Sequence, residues 1–254
     1  MTKKTAFIFD LDYTLIENNA FRYAYENIPK ILDLSVSPEG FRDVFLGVYY
    51  ELVKKGQLRE AFNWDFVAEE AVKRLGASYR SNLFHQLFME GIKNCLVKPR
   101  PNTIEVLNRI KGRGNMVIIL TNGYRKYQLP VLRKVGLIEI VDALLTNDDL
   151  PMPKPSIESF HVAAEISRRL GASKMVYIGD HPFFDVYGAL HAGMENIVWI
   201  TDQYDEGYYD VKYLAQFIES YTYSRYHICI DLRRFWSKKI LVIRRLDSLF
   251  RFID

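Results

Sequence analysis

Near its N-terminus the chain runs Phe7-Ile8-Phe9-Asp10-Leu11-Asp12-Tyr13-Thr14-Leu15, an apolar run that breaks into two acids and a hydroxyl. Ala6 to Phe9 is aromatic and aliphatic without polar alternation, which predicts a short buried strand. Asp10 and Asp12 follow at its end, and Thr14 comes two residues later. Open α/β sheets place their ligands where strands end in loops. Two carboxylates crowded there repel each other unless a cation or a bound group offsets them. A capped turn would draw on the same residue types, since Asp and Thr are common in turns.

Downstream, the pattern alternates. A helix over about Thr103 to Lys111 precedes an apolar strand, Met116 to Leu120, which ends in Thr121-Asn122-Gly123. A helix, a strand at Val141 to Leu145, and a Pro-rich loop from Pro151 to Pro155 follow. The strand Met175 to Ile178 ends in Gly179-Asp180, a helix spans about Asp185 to Ala192, and Ile197 to Ile200 is a further strand. Short apolar strands alternating with helices predict a Rossmann-like parallel sheet with helices on both faces.

Between the first strand and this alternation, residues 16–95 carry only helical signals. Ser37-Pro38 is a helix start, Gly56 and Gly76 follow basic last turns, and Pro29 is expected to end or kink the first helix. Aromatic residues such as Phe21, Phe45, Tyr49, Phe62 and Trp64 recur at helical spacing there, which more often marks a core than a ligand box. The predicted organisation is an α/β core over residues 1–15 and 96–221, a helical insert over 16–95, and a C-terminal extension over 222–254.

Composition sets the outer bounds. The chain has 254 residues, 49% hydrophobic and 26% charged, enough for one large domain or a core with an insert. A net charge of +3 does not argue for nucleic acid. Cys95 and Cys229 match no metal or redox spacing. The apolar run after Lys4 is too short for a signal peptide, and no run is long enough to span a bilayer. A soluble cytoplasmic protein is the expectation.

Every candidate polar group falls where a strand ends or in the loop beyond it: Asp10 and Asp12, Thr121 and Asn122, Lys154, then Asp180 with Asp185 five residues on. In a parallel sheet these ends share one edge, so the groups converge. Singly, each has a plain alternative as turn, cap or solvated residue. Together their chemistry is complementary. Asp10 and Asp180, with Asp185 nearby, are hard oxygen ligands suited to Mg2+. Thr121, Asn122, Lys154 and loop N–H groups suit phosphate oxygens. A carboxylate beside a metal can attack phosphorus to form an aspartyl-phosphate, and Asp12 can protonate the leaving oxygen and then deprotonate water.

This set resembles the haloacid dehalogenase (HAD) superfamily of phosphatases. Asp10-Leu11-Asp12-Tyr13-Thr14 matches its first motif, Thr121 its second, Lys154 its third, and Gly179-Asp180 with Asp185 its fourth. The resemblance implies Asp10 as nucleophile and Asp12 as general acid/base, with Thr121 and Lys154 holding the phosphoryl group. It implies Mg2+ on Asp10, the Asp12 backbone carbonyl and Asp180, with Asp185 and Thr14 in support. It makes the helical insert a C1-type cap and the substrate a small phosphorylated metabolite. Two positions depart from the pattern. Tyr13 stands where Gly is common, and His181 stands where small polar residues are frequent.

The extension lies outside the resemblance. Arg225, Arg233, Arg234, Lys238, Lys239, Arg244, Arg245 and Arg251 are mixed there with large apolar residues. Leu232, Phe235, Trp236, Ile240, Ile243 and Leu246 approximate helical spacing, which would make a basic amphipathic helix for a membrane surface or protein partner. The preferred reading is a terminal segment packed on the core with its charges solvated, and Ile240 to Ile243 fits a short buried strand as well as a helix. The leading function is thus a Mg2+-dependent phosphatase. Its alternatives are a phosphomutase of the same fold and a binding or scaffold protein acting through the tail. Oligomeric state is not encoded in any of these features.

Overall fold

In the computed structural model, which describes residues 4–253, the strands and helices predicted between Ala6 and Ile200 form in the order read from the sequence. The chain begins with β1 (Lys4–Phe9) and the short β2 (Ile16–Asn18). The insert follows as α1 (Asn19–Ile31), α2 (Pro38–Lys54), α3 (Leu58–Ala61), α4 (Trp64–Arg74) and α5 (Leu83–Lys93). Then come β3 (Val97–Pro99), α6 (Thr103–Gly112), β4 (Met116–Leu120), α7 (Arg125–Lys134), β5 (Ala143–Leu145) and α8 (Ile157–Arg169). The last part holds β6 (Ala172–Gly179), α9 (Gly188–His191), β7 (Ile197–Ile200), β8 (Gly207–Asp210), α10 (Val211–Tyr226), β9 (Lys239–Ile243) and α11 (Leu249–Ile253). Among the described residues, no helix is long and apolar enough to cross a membrane.

The chain divides into two compact units. One comprises residues 1–17, 99–122 and 136–254; the other comprises 18–98 and 123–135. The first unit is built on a sheet of order β5-β4-β1-β6-β7-β9-β8. Its strands are parallel except β8, which runs antiparallel to β9. β1 is central: Ile8 lies opposite Ile118 on one side and Tyr177 on the other. Ala6 to Phe9 are all buried, as an unalternating apolar run requires when helices cover both faces. A one-residue slip would move Asp10 off the strand end, so this register is also what places the acids.

The C-terminal extension packs on the core rather than forming an amphipathic helix. Ile240 to Ile243 form β9, which inserts between β7 and β8, with Val198 opposite Leu241 and Tyr209 opposite Ile240. Of the apolar residues at helical spacing, Leu232, Ile240, Ile243 and Leu246 are at most 3% exposed, while Phe235 is half-buried and Trp236 is exposed. A run apolar on every side buries more area inside a sheet than as one stripe of a surface helix. The basic residues stay outside, where Arg233, Arg244, Arg245 and Arg251 pair with Asp231, Asp205, Asp247 and Glu206.

The second unit is helical. Ser37 caps α2 by accepting from the Gly40 N–H at 3.1 Å, with Pro38 in the first turn, as its sequence predicts. Pro29 does not stop α1, which runs two residues further to Ile31. Proline there gives up the one bond its N–H would make to the carbonyl four residues back, and the helix ends within a turn of it. The interior is aromatic: Phe45 stacks on Phe84 at 5.8 Å and on Tyr25 at 5.6 Å, and Phe21 meets Trp64 edge-on at 4.6 Å.

α7, distant in sequence from the insert, joins this unit through Asp65. The Asp65 carboxylate accepts from Tyr127 Oη at 2.8 Å, Lys126 Nζ at 3.0 Å and Tyr79 Oη at 3.0 Å. Burial pushes this carboxyl up, but the bonds from Lys126 and Tyr127 outweigh it and hold it below its ordinary range. A depressed folded-state pKa gives stability that is present above the unfolded value of about 3.9 and lost as pH falls through the folded value. Asp65→Asn is therefore expected to cost about 2 kcal/mol at pH 7. That difference should shrink as pH drops from about 5 toward 3. Urea unfolding of both proteins at each pH measures it, and a pH-independent gap would rule the ionised tie out.

Candidate active site

Five of the predicted residues meet at the carboxyl ends of β1 and β6. Lys154 Nζ donates to Asp10 Oδ1 at 2.6 Å and to Asp185 Oδ1 at 2.7 Å, and the lysine is only 2% exposed. Thr14 Oγ1 donates to Asp180 Oδ1 at 2.8 Å, which ties the first motif to the fourth. Asp185 Oδ2 accepts from the His181 backbone N–H at 2.9 Å. Gly179 permits this approach, since a Cβ there would lie 2.4 Å from Asp185 Cγ.

Thr121 ends β4 beside this group, with its N–H on the Leu145 carbonyl at 3.0 Å. The register pairing Phe9 with Ile119 puts it next to the loop that carries Asp10 and Asp12. Asp12 is half-buried in that loop and bridged to Ile16. Tyr13 has φ 63°, the left-handed region that favours glycine, which accounts for Gly being common there. Its carbonyl accepts from Arg100, and Leu15 O accepts from Arg100 N–H and Thr103 Oγ1, so the segment after β3 braces the loop.

Asn122 needs correcting. Its Oδ1 accepts from the Lys154 N–H at 2.8 Å and its Nδ2 donates to the Lys154 carbonyl at 2.9 Å. The side chain expected to hold phosphate instead holds the backbone of Lys154. Asn147 continues the brace by donating to the Asn122 carbonyl at 3.1 Å.

Sequence reasoning missed Tyr177. It is fully buried; its hydroxyl donates to Asp185 Oδ1 at 2.6 Å and accepts from Lys154 Nζ at 3.0 Å. The available signal was a phenol inside an otherwise apolar strand, because a buried tyrosine hydroxyl needs a partner. His181, the other departure from the family pattern, is a hydrogen-bonded loop histidine. Its Nδ1 accepts from the Phe183 and Phe184 N–H groups at 3.1 Å, and burial pushes its pKa down to about 4.

Asp10, Asp180 and Asp185 each bring a carboxylate oxygen within 4.8 Å of one another. The Lys154 ammonium pairs with two of these acids, Asp10 and Asp185. Burial lowers its pKa less than Asp10 and Asp185 raise it, so it stays charged. Lys154 also holds Asp185 below its ordinary range against burial. The remaining negative charge falls on the other two acids. Burial pushes Asp10 well up in spite of Lys154, and burial with the Asp185 charge pushes Asp180 to about 7. An all-oxygen set with excess negative charge fits a hard divalent cation.

Residues 4–193 match the family model for haloacid dehalogenase-like hydrolases. The chain belongs to that family. Among curated HAD-like relatives, the glyceraldehyde 3-phosphate phosphatase of Methanothermobacter thermautotrophicus is 25% identical over 197 residues, covering 76% of this chain and 84% of the relative. A phosphoglycolate phosphatase from Rhodobacter capsulatus is 27% identical over 211 residues, covering 80% and 85%. The crystal structure of a HAD phosphatase from Thermococcus onnurineus shares the fold, with a TM-score of 0.65 at 24% identity over 98% of this chain and 97% of that one.

In this HAD-like site, Lys154→Met would leave Asp10 and Asp185 buried without their cation. Breaking a buried pair from one side costs about 3–5 kcal/mol. The loss should appear in urea unfolding in EDTA at neutral pH. An unchanged midpoint would show that the lysine is not compensating these acids.

Proposed function

We propose that this chain is a Mg2+-dependent phosphatase that hydrolyses a small phosphorylated metabolite through an aspartyl-phosphate on Asp10. One arrangement supports this reading above all: Asp10, Asp180 and Asp185 lie within 4.8 Å of one another at a strand end, beside a buried lysine. The Asp10 carboxylate attacks phosphorus, and the bond from phosphorus to the ester oxygen breaks. Asp12, entering as the acid, gives its proton to that leaving oxygen. The Asp12 carboxylate then takes a proton from a water that attacks phosphorus. The Asp10–phosphorus bond breaks, and inorganic phosphate leaves.

Thr121 and Lys154 hold the phosphoryl oxygens, with Asn122 fixing the Lys154 backbone. Asp10, the Asp12 carbonyl and Asp180 hold Mg2+, with Thr14 and Asp185 orienting the acids. When bound, the cation supplies positive charge against the phosphoryl oxygens. The helical insert acts as the cap that selects the substrate. Relatives named for glyceraldehyde 3-phosphate and phosphoglycolate support a substrate of a few carbons.

Phosphate release from a panel of two- to six-carbon phosphates, with Mg2+ or EDTA, tests the proposal. Release that needs the cation is expected. A product that is an isomeric phosphate, with no free phosphate, would point to the mutase instead.

A further inference from the structure

The turn carrying the acids of the fourth motif is held from behind by α10. His181 accepts two backbone N–H groups at Nδ1, so its proton sits on Nε2. That Nε2–H reaches the Tyr226 hydroxyl at 3.0 Å. Tyr226 is the last residue of α10 and 3% exposed, and its ring packs on Phe183 and Phe184, both at 5.6 Å between centroids. The His181 backbone N–H holds Asp185, and its neighbour is Asp180, whose carbonyl accepts from Trp199 Nε1 at 2.8 Å. One imidazole therefore fixes the path of the chain from Asp180 to Asp185, and Tyr226 fixes the imidazole.

We propose that Tyr226 is a positioning residue that, through His181, keeps Asp180 and Asp185 in the arrangement that binds a divalent cation. The proposal deepens the metal-assisted reading above and rests on it. Groups that orient ligands in this way typically change metal affinity by about 10- to 100-fold when removed. Without the hydroxyl, the buried Nε2–H loses its acceptor, and the ring is free to turn toward another. The two N–H groups it caps then open more often to solvent.

Calorimetric Mg2+ titration, with amide hydrogen exchange on the metal-free protein, tests this in wild type, Tyr226→Phe, His181→Ala and the double variant. Tyr226→Phe keeps the ring and its packing. It should bind Mg2+ about 10-fold more weakly and exchange the Phe183 and Phe184 amides about 10-fold faster. If Tyr226 acts through His181, the double variant is no worse than His181→Ala alone. Wild-type affinity and exchange in Tyr226→Phe, or additive losses in the double variant, would overturn the proposal alone. Wild type that binds no Mg2+ would overturn the metal reading and this proposal with it.

Discussion

Asp10→Asn is expected to abolish phosphate release while leaving the protein folded. The carboxamide matches the carboxylate in shape, and its oxygen still accepts from Lys154 Nζ, which now lies 2.6 Å from Asp10 Oδ1. It also removes one charge from a cluster in which burial already pushes the Asp10 carboxyl up, so stability in EDTA should hold or rise. On the proposed mechanism, however, the nucleophile is gone, and with it the covalent step. Loss of a nucleophile that works within a coupled set costs about 10^4-fold or more in turnover. Parallel assays of both proteins with Mg2+, from preparations freed of contaminating phosphatase, measure the drop. Release near the wild-type rate would place the attacking group elsewhere.

Ending the chain at Tyr226 is expected to unfold the sheet-bearing unit rather than trim it. The cut removes β9 from between β7 and β8, together with Leu232, Leu246 and Leu249. Ile240, Val242, Ile243, Leu232 and Leu249 are all fully buried. At about 1.5–3 kcal/mol for each buried aliphatic side chain, the loss is on the order of 10 kcal/mol. Domains of ordinary stability hold only about 5–15 kcal/mol in total. The cut would also leave β7 as a bare edge, open to pairing with other chains. Far-UV circular dichroism and soluble yield should both collapse. A soluble truncation with cooperative unfolding and full hydrolysis would show the tail to be dispensable.

The sequence carried the catalytic constellation because its parts are local. Each apolar run ends in its own polar residue, and Asp10, Thr121 and Asp180 could be named from strand ends before any pairing was known. Their convergence needed one further premise, that alternating strands and helices make a parallel sheet with its ends on one edge. Lys154, in a loop of prolines, was legible for the same reason.

Local residue order therefore set the strand ends, the helical insert and the acidic chemistry. Packing across the fold assigned the long-range partners. Ile240 to Ile243 has no local preference between helix and strand, and it becomes a strand because β7 and β8 offer hydrogen bonds and burial on both sides. α7 joins the helical unit because Asp65, sixty-two positions before Tyr127, supplies the acceptor its hydroxyl requires. Asn122 turns from ligand to brace because the Lys154 backbone lies within reach of both its amide atoms. Tyr177 and Tyr226 matter through hydroxyls whose partners lie on other elements. Periodicity records which face of an element is apolar, and it holds no information about which distant polar atom a buried donor will meet.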